Sequence, residues 1–363
     1  MSLSTDIPYL MSVIVPAYNA EEHVGSCLES LCRQSLRNFE VIVVNDGSKD
    51  RTAAVAEAVL SQSGLPYHVL SQSNQGVSVA RNSGLKVAKG KYVMFLDSDD
   101  YLHENCLAEL THRAVTTQAS VVFCGYDYVS HDGELLRPYT ERHVYLQQDT
   151  VSGPEALIEV FTERISVWTG SVMYLKDHLT RYDIRFIAGR TMAQDIEFEF
   201  KALFYAGRVS CVNQSLSFYV QMPGSATRTG DFLKRLQGMD VLFALLDHFA
   251  GHVQSQEQRQ ARVGLGEQHS SEYDMEKRVI ECLQTYMIPV SLAGVFGSLA
   301  ADGYPWRDYI RLVNNRANYM EALNMFSPVF DANFAARRRF QVRLLRSSPS
   351  VYFVLSRIRG RLR

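Results

Sequence analysis

The chain lacks the cysteine patterns of zinc sites and disulfide scaffolds. Its six cysteines are scattered and include no C-x-x-C pair. This spacing argues against zinc and favours reduced thiols. Export and membrane signals are lacking as well, because there is no basic N-terminal segment followed by an apolar core and no run of roughly 18 apolar residues. We therefore expect a cytoplasmic protein that is neither secreted nor integral to a membrane.

Two common nucleotide-binding motifs are also missing. No G-x-G-x-x-G follows the first apolar run, which leaves a dinucleotide site without support. The nearest approach to a P-loop, residues 84–91, has one residue too many between its glycines, precedes a strand, and has Tyr92 where Ser or Thr is required. With 363 residues, 46% of them apolar, the chain can still bury a large core and is predicted to form two domains.

An acidic cluster is the most informative feature that is present. The apolar run of residues 93–96 ends in Asp97, Ser98, Asp99 and Asp100. Crowded carboxylates raise one another's pKa unless a cation compensates them, and hard oxygen ligands suit Mg²⁺ or Mn²⁺. An acidic turn in solvent, or the N-cap of a helix starting near Leu102, would give the same residues.

The segments before this cluster alternate between strand and helix patterns. Apolar, β-rich runs at 12–16, 40–48, 67–70 and 91–96 are separated by helical patterns, including one over 77–88. This β-α-β-α-β-α-β order predicts a parallel sheet. Ligands of such sheets bind beyond the carboxyl ends of the strands, where the acidic cluster would lie.

Four blocks, in this order and spacing, closely resemble the family 2 glycosyltransferases of the GT-A fold: SVIVPAYNAEEHV, VIVVNDGSKDRT, NQGVSVARNSGL and YVMFLDSDDYL. Four matching blocks on a matching strand and helix pattern make coincidence improbable. The resemblance covers roughly the first 230 residues. It implies a nucleotide-sugar donor, a divalent cation (Mn²⁺ or Mg²⁺), and inversion at the anomeric carbon.

The resemblance also implies a donor site. Asp46 would accept a hydrogen bond from the base, which suits uracil, and Arg81 would pair with phosphate or hold the acidic loop, although a helix-surface charge is the alternative. Asp99 would be the leading metal ligand, shared with Asp97 and Asp100. The other residues assigned to the nucleotide sugar are Pro16, Tyr18, Asn19, Asn74, Gly76, Asn82, Asp97, Ser98 and Arg228.

An inverting reaction needs a base on the face opposite the leaving diphosphate. The resemblance places this base at Asp195, with Gln194 on the acceptor side where the family has Glu; Asp195 also fits a helix N-cap. Trp168 would stack on an acceptor sugar, or would be an ordinary buried aromatic residue. Val220 replaces a usual Arg, for which Arg228 could substitute.

The predicted organisation is an α/β GT-A domain over 1–230, with a nucleotide-sugar half (1–102) and an acceptor half (103–230). A mainly helical region follows over 231–331, interrupted by a polar stretch, residues 254–277, that we interpret as an exposed loop. The tail, 332–363, has nine arginines and no acidic residue, so it carries +9 against −11 for the rest.

The tail has the pattern of a basic amphipathic helix. It sets Val351, Val354, Leu355, Ile358 and Leu362 on one face, with Arg357 and Arg361 on the other side. Such a helix is typical of peripheral binding to anionic lipid, here at the inner face of the cell membrane. The alternatives are packing on the catalytic domain or, least favoured, a nucleic-acid surface; we expect no nucleic-acid partner.

The sequence favours a metal-dependent inverting glycosyltransferase. It would move a sugar, most simply from a UDP-sugar, to a carbohydrate or lipid-linked acceptor in surface-polysaccharide assembly. A catalytically impaired sugar-nucleotide-binding module is the first alternative, because of Gln194 and Val220. A sugar-nucleotide nucleotidyltransferase is the second, although the Gly-rich N-terminal loop that it requires is missing.

Overall fold

The computed structural model describes residues 8–190, 192–221, 232–263, 271–327, 329 and 335–361. The chain divides into two compact units. The first, here the sheet unit, comprises Met1–Ala156, Glu163–Arg190 and Gln194–Ser225; the second, the helical unit, comprises Leu157–Thr162, Thr191–Ala193 and Ala226–Arg363.

Nine strands form one mixed sheet in the order β3-β2-β1-β4-β8-β6-β9-β5, with β7 paired to β6. The strands are β1 (Tyr9–Ala17), β2 (Phe39–Asn45), β3 (Tyr67–Ser71), β4 (Gly90–Phe95), β5 (Tyr101–Leu102), β6 (Val121–Ser130), β7 (Leu135–Arg137), β8 (Val172–Leu175) and β9 (Val209–Gln221). The helices up to residue 204 are α1 (Val24–Cys32), α2 (Thr52–Leu60), α3 (Val77–Val87), α4 (Cys106–Thr117), α5 (Gly153–Phe161), α6 (Lys176–Arg181) and α7 (Gln194–Phe204).

The first four strands are parallel, as the alternating pattern predicts. Val13 of β1 lies opposite Val41 of β2 and Met94 of β4. These residues share one sheet face with the buried positions of α1, α2 and α4, whereas α3 packs on the other face. A Cβ at Gly84 of α3 would lie 2.4 Å from Ile14 Cγ2, so glycine there allows close packing. The carboxyl ends of these strands therefore lie along one edge of the sheet.

The helical unit contains α8 (Phe232–Val263), α9 (Ser271–Cys282), α10 (Ile288–Ala301), α11 (Trp306–Asn315), α12 (Ala317–Asn324), α13 (Ala335–Ser347) and α14 (Pro349–Arg361), with a π-helical turn at Leu283–Met287. The expected loop over 254–277 was wrong for residues 254–263, which continue α8, and for 271–277, which begin α9; residues 264–270 lie outside the described residues. Gln, Glu and Arg are good helix formers, and their polarity indicated exposure instead of irregular structure.

One described helical run, Ser271–Ala301, is long and apolar enough to cross a membrane, and half of its most apolar window is buried in the structure. A buried core helix satisfies the same criteria of length and composition. The described cysteines are all free thiols, as the scattered spacing predicts.

Candidate active site

The three carboxylates of the acidic cluster lie in different environments. Arg81 Nη2 donates to Asp97 Oδ1 at 2.6 Å. Asp100 is only 2% exposed, and the Val220 amide donates to its Oδ1 at 2.8 Å. Asp99 is exposed, as is required of a group that meets a ligand. Position 220 thus contributes a backbone N–H to this cluster.

The pKa values of these groups reflect concentrated negative charge. Although part of Asp99 is open to solvent, partial desolvation by the surrounding protein and the charge of Asp97 raise its pKa. Burial, Asp99 and Asp97 raise that of Asp100 well above its usual range, against a smaller opposing effect of the Val220 hydrogen bond and Arg81. A cation near Asp99 would relieve this repulsion.

The cluster does not form a closed metal cage. Within the described part of the chain, no three His, Cys, Asp or Glu side chains converge as a ligand set. Magnesium and manganese that accompany phosphates need only one or two carboxylates. Asp99 and the second oxygen of Asp97 fit that requirement. Asp100 fits it poorly, since it is buried and bonded to Val220.

Arg81 is buried beneath the acidic cluster and bonded to Asp97, so the alternative of a helix-surface charge does not hold. It is 3% exposed, and its guanidinium lies 5.0 Å from the centre of the Phe186 ring. Burial lowers its pKa, but Asp97, Asp195 and Glu199 raise it to a greater combined extent. Its Nε and Nη1 are buried and have no hydrogen-bond partner in the structure. Unpaired buried donors are costly, so two of the guanidinium nitrogens are left unsatisfied among the described residues.

Asp46 ties the end of β2 to the loop before α3. It is 3% exposed, and its carboxylate accepts from Gln72 Nε2 at 2.7 Å, from the Gln75 amide at 3.0 Å and from the Gly76 amide at 2.8 Å. A carboxylate has about four acceptor positions, so one remains for a further donor.

The other donor-side residues lie around this edge. Tyr18 and Asn19 are exposed just beyond the end of β1, whereas Pro16 is buried within the strand. Asn19 Oδ1 accepts from the Lys49 amide at 2.9 Å, which joins the first two strand-end loops. Asn74 and Gly76 are exposed and Ser98 is half-buried; Arg228 lies outside the described residues.

The loop before α7 covers Arg81 and is fixed by Asn82. The Asn82 side-chain amide donates to the Phe186 carbonyl at 2.7 Å and accepts from the Phe186 amide at 3.1 Å. Phe186 stacks on Phe198 of α7 with ring centres 4.1 Å apart. Both ends of the Asn82 amide are therefore occupied by the protein, and the residue orients the loop above Arg81.

Asp195 lies in the first turn of α7. The helix begins at Gln194, and Asp195 Oδ1 accepts from the adjacent Ile196 amide at 2.9 Å. The N-cap interpretation was therefore wrong by two positions, because the cap residue precedes the first helical residue and Asp195 is the second residue of the helix. The buried face is as predicted, with Phe198 and the residues one turn later in the core. Asp195 is half-buried and has an open carboxylate oxygen.

The neighbours of Asp195 are constrained in different ways. Glu197 accepts from Lys201 Nζ at 2.9 Å and lies 3.2 Å from Arg190 Nε, so its charge is already paired. Gln194 has a buried side-chain oxygen without a hydrogen-bond partner. An unpaired oxygen of this kind can accept from a ligand hydroxyl or amide.

Trp168 belongs to an aromatic surface on one face of β6 and β9. Its ring lies 5.1 Å from that of Tyr219 and 5.5 Å from that of Tyr126, and it is half-buried. Tyr128 adds a further ring 5.2 Å from Tyr219. Trp168 therefore packs on neighbouring rings while part of its surface stays accessible, and its stacking on an acceptor sugar stays a prediction.

Sequence reasoning missed two features of this region. The aromatic surface was hidden because Tyr126, Tyr128 and Tyr219 come together only when β6 pairs with β9. Glu199 was also missed, although its spacing of four residues from Asp195 predicts that both lie on one side of the helix.

The comparisons agree with this architecture. Residues 12–182 match the family model described as Glycosyl transferase family 2. Over these residues, which are less than half of the chain, the sequence is similar to the family 2 glycosyltransferases. The uncharacterized glycosyltransferase EpsJ of Bacillus subtilis (strain 168) is 33% identical over 219 residues, which cover 60% of this chain and 63% of EpsJ.

Two solved structures share the fold. TarS 1–349 of Staphylococcus aureus, in complex with UDP-GlcNAc, superposes with a TM-score of 0.69 at 19% identity, covering 97% of this chain and 91% of that one. The mannosyltransferase PcManGT of Pyrobaculum calidifontis, in complex with GDP-Man and Mn²⁺, has a TM-score of 0.51 at 17% identity, covering 97% and 86%. The chain thus has the GT-A fold, with a helical C-terminal region.

Proposed function

We propose that this protein is an inverting glycosyltransferase that moves a sugar from a UDP-sugar to a carbohydrate or lipid-linked acceptor in surface-polysaccharide assembly. The observation that supports it most is the buried Arg81–Asp97 pair, with a contact of 2.6 Å, beneath the exposed Asp99 at the edge of the sheet. This arrangement combines unpaired guanidinium donors with an acidic group suited to a phosphate-bound cation.

The proposed reaction is a single displacement. The acceptor oxygen forms a bond to the anomeric carbon, the bond from that carbon to the diphosphate breaks, and UDP departs with the bonding electron pair. Asp195 takes the proton of the attacking hydroxyl, because its open carboxylate lies on the acceptor side in the proposed arrangement. A divalent cation held by Asp99 and Asp97 would supply positive charge to the departing diphosphate.

The choice of UDP rests on two observations. Asp46 retains one acceptor position after its three hydrogen bonds, and an anionic acceptor suits the N–H of uracil. The neighbour with the higher TM-score is bound to UDP-GlcNAc, and the more distant one to GDP-Man. We therefore propose UDP-GlcNAc as the first donor to test.

A catalytically impaired sugar-nucleotide-binding module is the second candidate. It is favoured by Gln194, which leaves Asp195 without the adjacent carboxylate of related sequences. The first experiment is hydrolysis of UDP-GlcNAc, GDP-mannose and a TDP-sugar with Mn²⁺ or with EDTA, beside thermal protection by each nucleotide. We expect metal-dependent hydrolysis and protection for the UDP compound. Protection without hydrolysis would favour the binding module. Preferential protection by GDP-mannose would overturn the choice of uracil as the base of the donor nucleotide.

We further propose that the C-terminal helices bind anionic lipid, on the inner face of the cell membrane. Helix α14 packs inward through Tyr352 and Phe353, while Val351, Val354, Leu355 and Ile358 are between 46% and 51% exposed. An exposed apolar stripe beside arginines suits a lipid surface. One face of α14 can therefore pack within the helical unit while the other face binds lipid. Leu362 and the side chain of Arg361 lie outside the described residues.

The stripe can be tested without removing the helix. Serine at Val354 and Ile358 should abolish co-sedimentation with phosphatidylglycerol vesicles and leave UDP-GlcNAc hydrolysis unchanged. Unchanged sedimentation of this variant would contradict lipid binding through α14.

A further inference from the structure

Glu199 is a buried carboxyl group that the proposed reaction does not use. It is 4% exposed and lies on α7, one turn after Asp195. The Thr169 hydroxyl, in a residue that is 2% exposed, donates to Glu199 Oε1 at 3.0 Å. Since Thr169 directly follows Trp168, this hydrogen bond joins the helix of the proposed base to the turn of the aromatic surface.

The turn at residues 168–171 is tightly built. Ser171 Oγ accepts from the Trp168 amide at 3.2 Å and donates to the Trp168 carbonyl at 2.9 Å. Ser217 of β9 donates to the Gly170 carbonyl at 2.6 Å, and a Cβ at Gly170 would lie 2.5 Å from the indole ring. A substitution at Thr169 should therefore change the position or the surroundings of the Trp168 ring, because the tightly packed turn has little room to adjust.

We propose that Glu199 is a positioning residue that fixes the Trp168 turn against the helix that carries Asp195. The inference rests on the proposed function for the roles of Trp168 and Asp195. It assigns Glu199 no contact with substrate. It explains why a carboxyl group is buried here with a hydroxyl partner instead of an apolar side chain.

The environment of Glu199 keeps it uncharged at neutral pH. Burial, and next the charge of Asp195, raise its pKa to about 8, while Thr169 and Arg81 act in the opposite direction. The titratable and charged groups that interact with it are Asp195 on α7, Arg81 on α3, Asp97 after β4, Tyr174 on β8 and Tyr126 on β6. Above that pH, Glu199 would add negative charge beside Asp195 and compete with Asp97 for Arg81.

The fluorescence of Trp168 can report this titration without any substrate. The chain has two tryptophans, so Trp306→Phe leaves Trp168 as the sole tryptophan, which can be excited at wavelengths where tyrosine does not absorb. In this background we expect an emission change with a midpoint near the Glu199 pKa of about 8. Glu199→Gln should abolish the step and keep the spectrum of the acid form, because the amide oxygen still accepts from Thr169 and never ionises.

Two further variants distinguish the coupling of Glu199 to Asp195 and Thr169 from a general effect on folding. Asp195→Asn should move the midpoint to lower pH, since it removes a charge that raises the pKa of Glu199. Thr169→Val should alter the emission at every pH, because it removes the hydrogen bond while keeping the shape of the side chain.

Hydrolysis of UDP-GlcNAc adds a second measurement, in which Glu199→Gln should retain much more activity than Glu199→Ala. A titration in Glu199→Gln like that of the parent, or a parental spectrum in Thr169→Val, would overturn the inference. Absence of hydrolysis in the parent would instead count against the proposed function, while the fluorescence titration still tests Glu199.

Discussion

The two units bury different kinds of side chain. Around the acidic cluster the sheet unit buries charged or ionisable groups, including Arg81 of α3, Asp100 after β4 and Glu199 of α7, all less than 5% exposed. The described core of the helical unit is mainly aromatic and aliphatic, with Phe296 and Tyr309 fully buried. Burying a charged group lowers the stability of the folded state unless the group is paired. The concentration of such groups in the sheet unit therefore indicates a functional site there, whereas the side chains of the helical unit mainly serve packing.

This contrast predicts that substitutions in the two units should affect different measurements. The largest effect is expected at Asp195. Asp195→Asn should lower transfer or donor hydrolysis by about 10² to 10⁴, the usual contribution of a general base. UDP affinity should stay near the parental value, because the proposed role of Asp195 is on the acceptor side.

Glu197→Gln is the matched control in the same helical turn. Its charge is paired with Lys201 and Arg190, so we expect some loss of stability but no comparable loss of rate. Full activity in Asp195→Asn would move the base elsewhere. A large drop in its melting temperature would show instead that Asp195 mainly stabilises the start of α7.

The helical unit should show the reverse pattern at Phe353. This ring is 4% exposed and lies 4.7 Å from Tyr309 and 4.9 Å from Trp306. Phe353→Ala should lower the free energy of unfolding by about 3 to 5 kcal/mol, the usual cost of such a cavity. Denaturant unfolding beside UDP titration of the folded protein measures both quantities.

Val354→Ala, at the next and half-exposed position, is the control for Phe353. It should change the free energy of unfolding by no more than about 0.5 kcal/mol. Similar losses in the two variants would contradict the assignment of an inward and an outward face to α14.

Asp99→Ala should weaken UDP binding in the presence of Mn²⁺ by tenfold or more and remove the difference between Mn²⁺ and EDTA. The reason is that Asp99 offers the exposed carboxylate of the cluster. Calorimetry measures the affinities, and Asp132→Ala, an exposed aspartate of the same unit, is the control. Parental metal-dependent binding in Asp99→Ala would contradict the metal assignment.

The sequence predicted the structure best where the residues of a short segment are sufficient to determine its strand or helix. The strands β1 to β4 and the helices between them were predicted within a few residues, because buried parallel strands are short apolar runs bounded by turn residues. The burial of Arg81 could not be predicted, since it depends on Phe186, more than 100 residues away in sequence. The Glu199–Thr169 contact was hidden for the same reason.

The helical unit was harder to predict. Its mainly helical character was expected, but not the boundary between the helices Trp306–Asn315 and Ala317–Asn324, because the break at Arg316 has no Gly or Pro beside it. The amphipathic pattern also did not predict which face of α14 is buried. Its apolar residues cover more than one face, and tertiary contacts of Tyr352 and Phe353 select which face is buried.

The smallest expected effect concerns single arginines of α13, the helix that precedes α14. Arg343 and Arg346 are exposed on α13. Each should add about 1 kcal/mol to binding of an anionic membrane, so Arg343→Gln should weaken vesicle partitioning roughly fivefold. The difference from the parent should shrink with added salt, because exposed charges are screened over about 8 Å at physiological ionic strength. Vesicles without anionic lipid should not distinguish the two proteins. Equal partitioning of parent and variant into phosphatidylglycerol vesicles at low salt would leave the arginines without a role in lipid binding, and would restrict any membrane contact of this unit to the apolar stripe.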